Sequence, residues 1–104
     1  MFARNMTLKL QPNRLMRFIE TYNATALPIL KKQKGFRGEV AIVLPLGQGV
    51  VATSYWHSRE DADAYENSGY KEILAILAGM IEDRPGIVDS EVISSTLHNL
   101  PSVL

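Results

Sequence analysis

The side chains in this chain that could do chemistry gather at two places. One is "SYWHSREDADAY", Ser54 to Tyr65, where Trp56 stands beside His57 and a dense acidic run follows. The other is Asn5, in the small or polar phase Ala3-Asn5-Thr7 of an alternating N-terminal segment. An amide near an indole can hold a carbonyl or an oxygen intermediate. Tyr65 and Tyr70 each offer an apolar body with a hydroxyl tip, suited to a pocket wall or to a half-buried helix edge. Histidine is the side chain most often used as a base, a role His57 or His98 could take. Each residue also has a plainer reading. Trp56 can fill the top of a core and Asn5 can be satisfied by local backbone. His57, which alternation turns away from Trp56, can meet an interface. His98 can cap a strand end or touch a second copy.

Other chemistries are excluded. Two histidines and these carboxylates show no metal-ligand spacing of the H-x-x-x-H kind. No glycine-rich phosphate loop follows the first strand. Ser94 and Ser95 lack a His–Asp arrangement to activate them. With no cysteine, disulfides, thiolate metal sites and cysteine nucleophiles all disappear, which suits a reducing cytoplasm. Eleven basic residues balance eleven acidic ones, so no nucleic-acid footprint appears. Lys31, Lys32 and Lys34, the one basic cluster, read as a solvated helix end. No apolar run approaches the ~18 residues of a membrane span, and the N-terminus lacks the order of a signal peptide. The 104 residues suit one domain, 1–104.

These residues must be positioned by regular elements. Phe2 to Leu10 alternates as a strand, with Phe2, Met6, Leu8 and Leu10 sharing a face with Arg4. Pro12-Asn13 opens a helix whose stripe is Leu15, Phe18, Ile19, Tyr22, Leu27 and Leu30. Pro28 should kink or restart it, and Gly35 should end it. Phe36–Leu44 and Val50–His57 read as a hairpin across Pro45, Gly47 and Gly49. Ser58 caps a second helix, with Asp61 completing the capping box. The acidic side chains Glu60, Asp61, Asp63 and Glu66 read as a solvated face. A break at "NSGY" precedes a stripe of Tyr70, Ile73, Leu74, Leu77, Met80 and Ile81, which "DRPG" stops. Ile87–His98 is the last strand.

The order βα-ββ-αβ predicts an α+β, ferredoxin-like βαββαβ sandwich with a four-stranded antiparallel sheet. Such a sheet usually shows water one polar face. Here "VAIVL" is apolar in both phases, and "VVAT" is little different. Helices cover only one face, so a second copy packing sheet against sheet is the simplest cover for the other.

"GFRGEVAIVL", "ATSYWHSREDADAYENSGYKEIL" and "RPGIVDSEVISSTLH" together resemble the antibiotic biosynthesis monooxygenase-like domains of the dimeric α/β-barrel superfamily. The resemblance covers almost the whole chain in order. It implies a homodimer with facing sheets and a pocket in each subunit between sheet and helices. Haem-degrading members use an Asn in strand one, matched by Asn5. They also use a helical Trp and a His, which here are Tyr65 and Leu74. Leucine cannot ligate iron, so the haem route closes. The cofactor-independent aromatic-polyketide oxygenases use the strand-three Trp, matched by Trp56. Their Asn and Tyr fall on Ala52 and Ala62.

The expectation is a cytoplasmic homodimer and a cofactor-independent monooxygenase acting on a small aromatic or quinol-like substrate. Asn5 would donate a hydrogen bond, Trp56 would pack on the ring, and Tyr65, Tyr70 or His98 would shuttle a proton. Tyr70, Leu74 and His98 are the expected ligand-binding positions, with no cofactor, metal, nucleic acid or membrane involved. The alternative is a non-catalytic, stress-related or small-ligand-binding homodimer.

Overall fold

The computed structural model describes residues 1–97, so His98 lies outside the described residues. Strand β1 is Phe2–Leu10, and its alternation appears in the burial pattern from Arg4 onward. After it come α1 (Leu15–Thr21), a π-helical turn (Tyr22–Ala26) and α2 (Leu27–Lys31). Strands β2 (Phe36–Val43) and β3 (Gly49–Trp56) form the hairpin. Helices α3 (Arg59–Glu66) and α4 (Gly69–Leu77) follow, and β4 is Ile81–Glu91. The sheet is ordered β2-β3-β1-β4, and every neighbouring pair is antiparallel. That is the ferredoxin-like arrangement the element order predicts. Within the chain the sheet is open, with β2 and β4 at its edges.

Register decides which residues face the helices. Phe2 pairs with Trp56, Arg4 with Ser54, Met6 with Ala52 and Leu8 with Val50. All eight lie on the covered face. Leu8, Leu30, Trp56, Ile73 and Leu77 are the largest fully buried side chains. Each contributes about 1.5–3 kcal/mol relative to exposure. The alternate phase, Asn5, Thr7, Val40, Ile42, Val51, Thr53 and Val88, lies on the other face. There Val40, Ile42 and Val88 are exposed. The apolar second face read from "VAIVL" is therefore present and uncovered by any element of the chain's described residues.

Pro28 restarts the helix as expected, through a specific device. The Leu27 N–H reaches the Tyr22 carbonyl in an i to i+5 bond, and Pro28 enters the first turn of α2, where its missing N–H costs little. Gly35, at φ +79, turns the chain into β2, and its carbonyl accepts the His57 N–H at 2.8 Å. A Cβ there would collide with the Asp61 side chain. Ser58 caps α3 through Asp61 N–H at 3.2 Å, as the capping box predicts.

Three expectations need correction. The first helix begins at Leu15 rather than at Pro12-Asn13, because Asn13 takes φ +61, and Ile19 is exposed rather than part of the buried stripe. Met80 and Ile81 do not extend α4: a 3-10 turn spans Ala78–Met80 and β4 starts at Ile81. The last strand is thus Ile81–Glu91, and "DRPG" lies inside it instead of ending a helix. Thr7 pairs with Gly86 but Lys9 with Glu82, so Asp83–Pro85 bulge opposite Leu8. Proline is tolerated because β4 is an edge strand and a bulge asks for no ladder donor.

Candidate functional site

A small recess of about 20 Å³ opens between the sheet and the helices. The strands supply Arg4, Met6, Glu39, Ala52, Ser54 and Ile87, and the helical elements supply Tyr22, Leu30, Tyr65 and Tyr70. That is room for about one water molecule, so a ring would have to part the walls to enter. Its aromatic wall is a ladder. Trp56 stacks on Tyr65 with centroids 5.0 Å apart and 28° between planes, and Tyr65 meets Tyr70 edge to face at 5.8 Å. Phe36 closes the far side of Trp56 at 5.5 Å and 71°. Trp56 is wholly buried and donates its indole N–H to Ser54 Oγ at 2.8 Å. It backs Tyr65 and does not itself line the recess.

Glu39 is the one carboxylate lining the recess. It sits in the helix-facing phase of β2, opposite Ser54. The Tyr22 hydroxyl, presented by the π turn, donates to Glu39 Oε2. Burial raises the Glu39 pKa above the usual carboxylate value, and the Tyr22 hydrogen bond opposes that rise. The tyrosines move away from reactivity. Burial, then the Glu39 charge, pushes Tyr22 well up. Burial, then Tyr70 and Glu39, pushes Tyr65 up. Burial and the Glu66 charge also raise Tyr70. At neutral pH all three phenols remain protonated donors, which leaves Glu39 to accept a proton.

Arg4 forms the polar end of the recess. Only 7% of it is exposed. Its Nε donates to Asp89 Oδ1 at 2.8 Å and its Nη2 to Asp63 Oδ1 at 2.9 Å. Nη1 donates to the Ala62 carbonyl at 3.1 Å and lies 3.8 Å from Glu66. The Asp89 hydrogen bond, against the effect of burial, raises the Arg4 pKa. With three acidic neighbours, Arg4 has no charge to spare for an anionic ligand. Asp63 and Glu66 are therefore ion-pair partners, a correction to their reading as a purely solvated face.

The predicted residues divide by face. Tyr65 and Tyr70 reach the recess and Trp56 supports it. Asn5 does not meet Trp56. The two lie near the same end of the sheet, as the strand order predicts, but on opposite faces. Asn5 Nδ2 donates to the Val88 carbonyl at 2.9 Å and to Ser90 Oγ at 3.0 Å, and its Oδ1 accepts from Thr53 Oγ1 at 2.8 Å. Convergence fails because Asn5 and Trp56 occupy opposite phases of paired strands. Leu74 is half-buried on α4 but is not in the lining. His57 is exposed, its Nδ1 3.4 Å from Arg37 Nη2. Among the described residues no group of three or more His, Cys, Asp or Glu is placed to hold a metal. Nor is any described helix long and apolar enough to cross a membrane. Sequence reasoning missed Arg4, Glu39 and Tyr22 as site residues. The available signal was a charged residue in the helix-facing phase of two strands.

No protein-family model and no curated protein matches the sequence significantly. Solved structures do match the fold. An antibiotic biosynthesis monooxygenase-like protein from Bordetella bronchiseptica superposes with TM-score 0.76 at 15% identity, over 86% of this chain and 94% of its own. The NE2512 protein of unknown function from Nitrosomonas europaea does so with TM-score 0.76 at 18% identity, over 92% of each chain. A monooxygenase from the gene ActVA-Orf6 of Streptomyces coelicolor, in complex with the ligand Nanaomycin D, gives TM-score 0.76 at 16% identity, over 92% of this chain and 90% of its own. The resemblance read from the motifs thus holds in three dimensions: the chain has the fold of the antibiotic biosynthesis monooxygenase-like proteins.

Proposed function

We propose that this chain is a cofactor-independent monooxygenase acting on a small, planar hydroxyaromatic or quinol-like molecule held in the recess between sheet and helices. The carrying observation is the composition of that recess: an aromatic wall in which Tyr65, stacked on Trp56, meets Tyr70 edge to face, with a single carboxylate, Glu39, in the same lining. Aromatic faces and edges favour a ring as their partner. A proton acceptor turns a hydroxyaromatic into its anion, which reacts with O2 directly. In a hydroxyaromatic whose para carbon carries hydrogen, that carbon takes O2 and becomes a hydroperoxide. The O–O and C–H bonds then break, water leaves and a quinone remains. Substrate and O2 thus become quinone and H2O, in balance. Trp56 and Tyr65 shape the site, and Tyr70 supplies a hydroxyl donor for the developing oxyanion. The likeness in fold to the monooxygenase from Streptomyces coelicolor supports this class of reaction.

The working unit in this proposal is a homodimer in the cytoplasm. Val40, Ile42 and Val88 on the open face support sheet-to-sheet pairing, which would close two open sheets into the dimeric α/β barrel. The test is oxygen uptake by the purified protein over a panel of hydroxyaromatics and quinols, with native mass spectrometry to read the assembly. Stoichiometric O2 consumption and a quinone product are expected. Ligand retention with no O2 uptake across the panel would favour a non-catalytic binding protein instead.

A further inference from the structure

The proposed reaction needs a group that takes the substrate's proton, and the recess contains one placed for it. Glu39 projects from β2 into the recess, and Tyr22 fixes it from the π turn on the opposite wall. A π turn inside a helix is rare and is frequently found at functional sites. Here it places the Tyr22 hydroxyl on Glu39, while the Tyr22 ring stacks on Phe18 with centroids 5.5 Å apart. One carboxylate oxygen is thus engaged, and the other remains for a ligand. The groups facing Glu39 come from every neighbouring element. They are Tyr22 from the π turn, Tyr65 from α3, Tyr70 from α4 and Arg4 from β1. The three phenols keep their protons, and Arg4 is committed to Asp89 and Asp63.

Resting on the reading above, we infer that Glu39 is the catalytic residue that accepts the hydroxyl proton of a substrate bound as the neutral phenol, with Tyr22 as its positioning residue. The substrate O–H bond breaks, its electron pair stays on oxygen and spreads into the ring, and the proton goes to Glu39. After O2 adds at the ring carbon, Glu39 returns that proton to the peroxide oxygen and is ionised again. A site that carries a carboxylate and no spare cation rejects substrates already anionic, such as aryl carboxylates. It takes neutral hydroxyaromatics.

The test uses 4-nitrophenol, whose absorbance separates the neutral from the ionised form and which gives a reading without turnover. Bound to the wild-type protein, its ionisation is expected to move up by about one pH unit, because an adjacent carboxylate disfavours the phenolate. The methyl ether 4-nitroanisole, which cannot donate, is expected to bind at least about tenfold more weakly. Glu39→Gln should abolish the upward shift. Tyr22→Phe, which keeps the carboxylate, should retain it. Wild-type protein that ionises the probe as water does, binds ether and phenol alike, or binds neither at millimolar concentration would overturn the inference. So would a folded E39Q variant that preserves the shift. A failed oxygen screen leaves these binding results standing, so the two readings fail separately.

Discussion

Arg4 of β1 and Asp89 of β4 meet across the covered face of the sheet in a two-pronged contact. Arg4 Nε donates to Oδ1 at 2.8 Å and Nη2 to Oδ2 at 3.2 Å. The pair ties the edge strand to the centre, and Asp63 joins α3 to it. Removing one partner of a buried charge leaves the other under-compensated. Asp89→Asn should therefore destabilise the fold by about 2 kcal/mol in urea unfolding, less than the loss of a fully buried partner because Asp63 and Glu66 remain.

The same contact sets an acid limb. The Arg4 hydrogen bond holds the Asp89 pKa below its usual value. A carboxylate depressed in the folded state stabilises above its unfolded pKa, and that stability disappears as pH falls through the folded value. The loss should begin as pH drops below about 4, the unfolded carboxylate value, and continue lower. Unfolding followed from pH 6 to pH 2 should show a shallower decline in Asp89→Asn than in the wild type.

Glu39 runs the other way. Burial raises its pKa, so ionisation is disfavoured in the folded state. Its contribution is most favourable below the unfolded pKa and is lost as pH rises through the folded one. Glu39→Gln keeps an acceptor for Tyr22 and removes that cost. Thermal melts at pH 7 should show E39Q as stable as the wild type or better by up to about 1 kcal/mol, with the difference vanishing near pH 4. A variant that gains stability while losing the probe response described above marks a residue kept for chemistry.

Most of the fold was legible because two periodicities carry it. Alternation in "FARNMTLKL" and the Ser58–Asp61 box depend on neighbours in sequence, and both emerged as read. The end of the fold was less legible. Pro85 looks like a terminator, and only its place on an edge strand, a fact of tertiary topology, lets β4 run through it. The site divides in the same way. Tyr65 and Tyr70 were visible as aromatic residues at a helix break. Asn5 and Trp56 were expected to meet, yet strand phase sends them to opposite faces. Glu39 carries no signal of its own in the sequence, because its partner Tyr22 arrives through a π turn that no local pattern announces.

Trp56 offers a direct probe of the aromatic ladder, being the sole tryptophan. Truncation to Ala removes the stack on Tyr65 and leaves a large cavity, which should cost about 3–5 kcal/mol, a large share of the roughly 5–15 kcal/mol that holds an ordinary domain folded. Trp56→Phe should fold but lose the Ser54 hydrogen bond, at a cost of about 1 kcal/mol. In the wild type the buried indole reports on Tyr65. A ligand entering the recess should change its fluorescence, whereas Tyr65→Leu should raise the ligand's Kd without changing the oligomeric state in light scattering.

The open face makes the last prediction. Ile42 is 54% exposed on β2 and pairs with Val51 across the hairpin, in the middle of the apolar phase. A stable dimer of standard size buries about 1,600 Å² in total, and a sheet face is broad enough to supply its half. Ile42→Glu places a charge where a second sheet would pack, and two such charges would meet their counterparts in a symmetric contact. It should convert a micromolar dimer to a monomer in light scattering. Ile42 is not in the lining of the Glu39 recess, so a monomer that still binds 4-nitrophenol as the wild type does would show that each recess works alone. Loss of binding together with loss of the dimer would show that pairing holds the recess in shape. If the wild type were itself a monomer at that concentration, facing-sheet assembly would be wrong for this chain, and the apolar face would have to be covered by something other than a second copy.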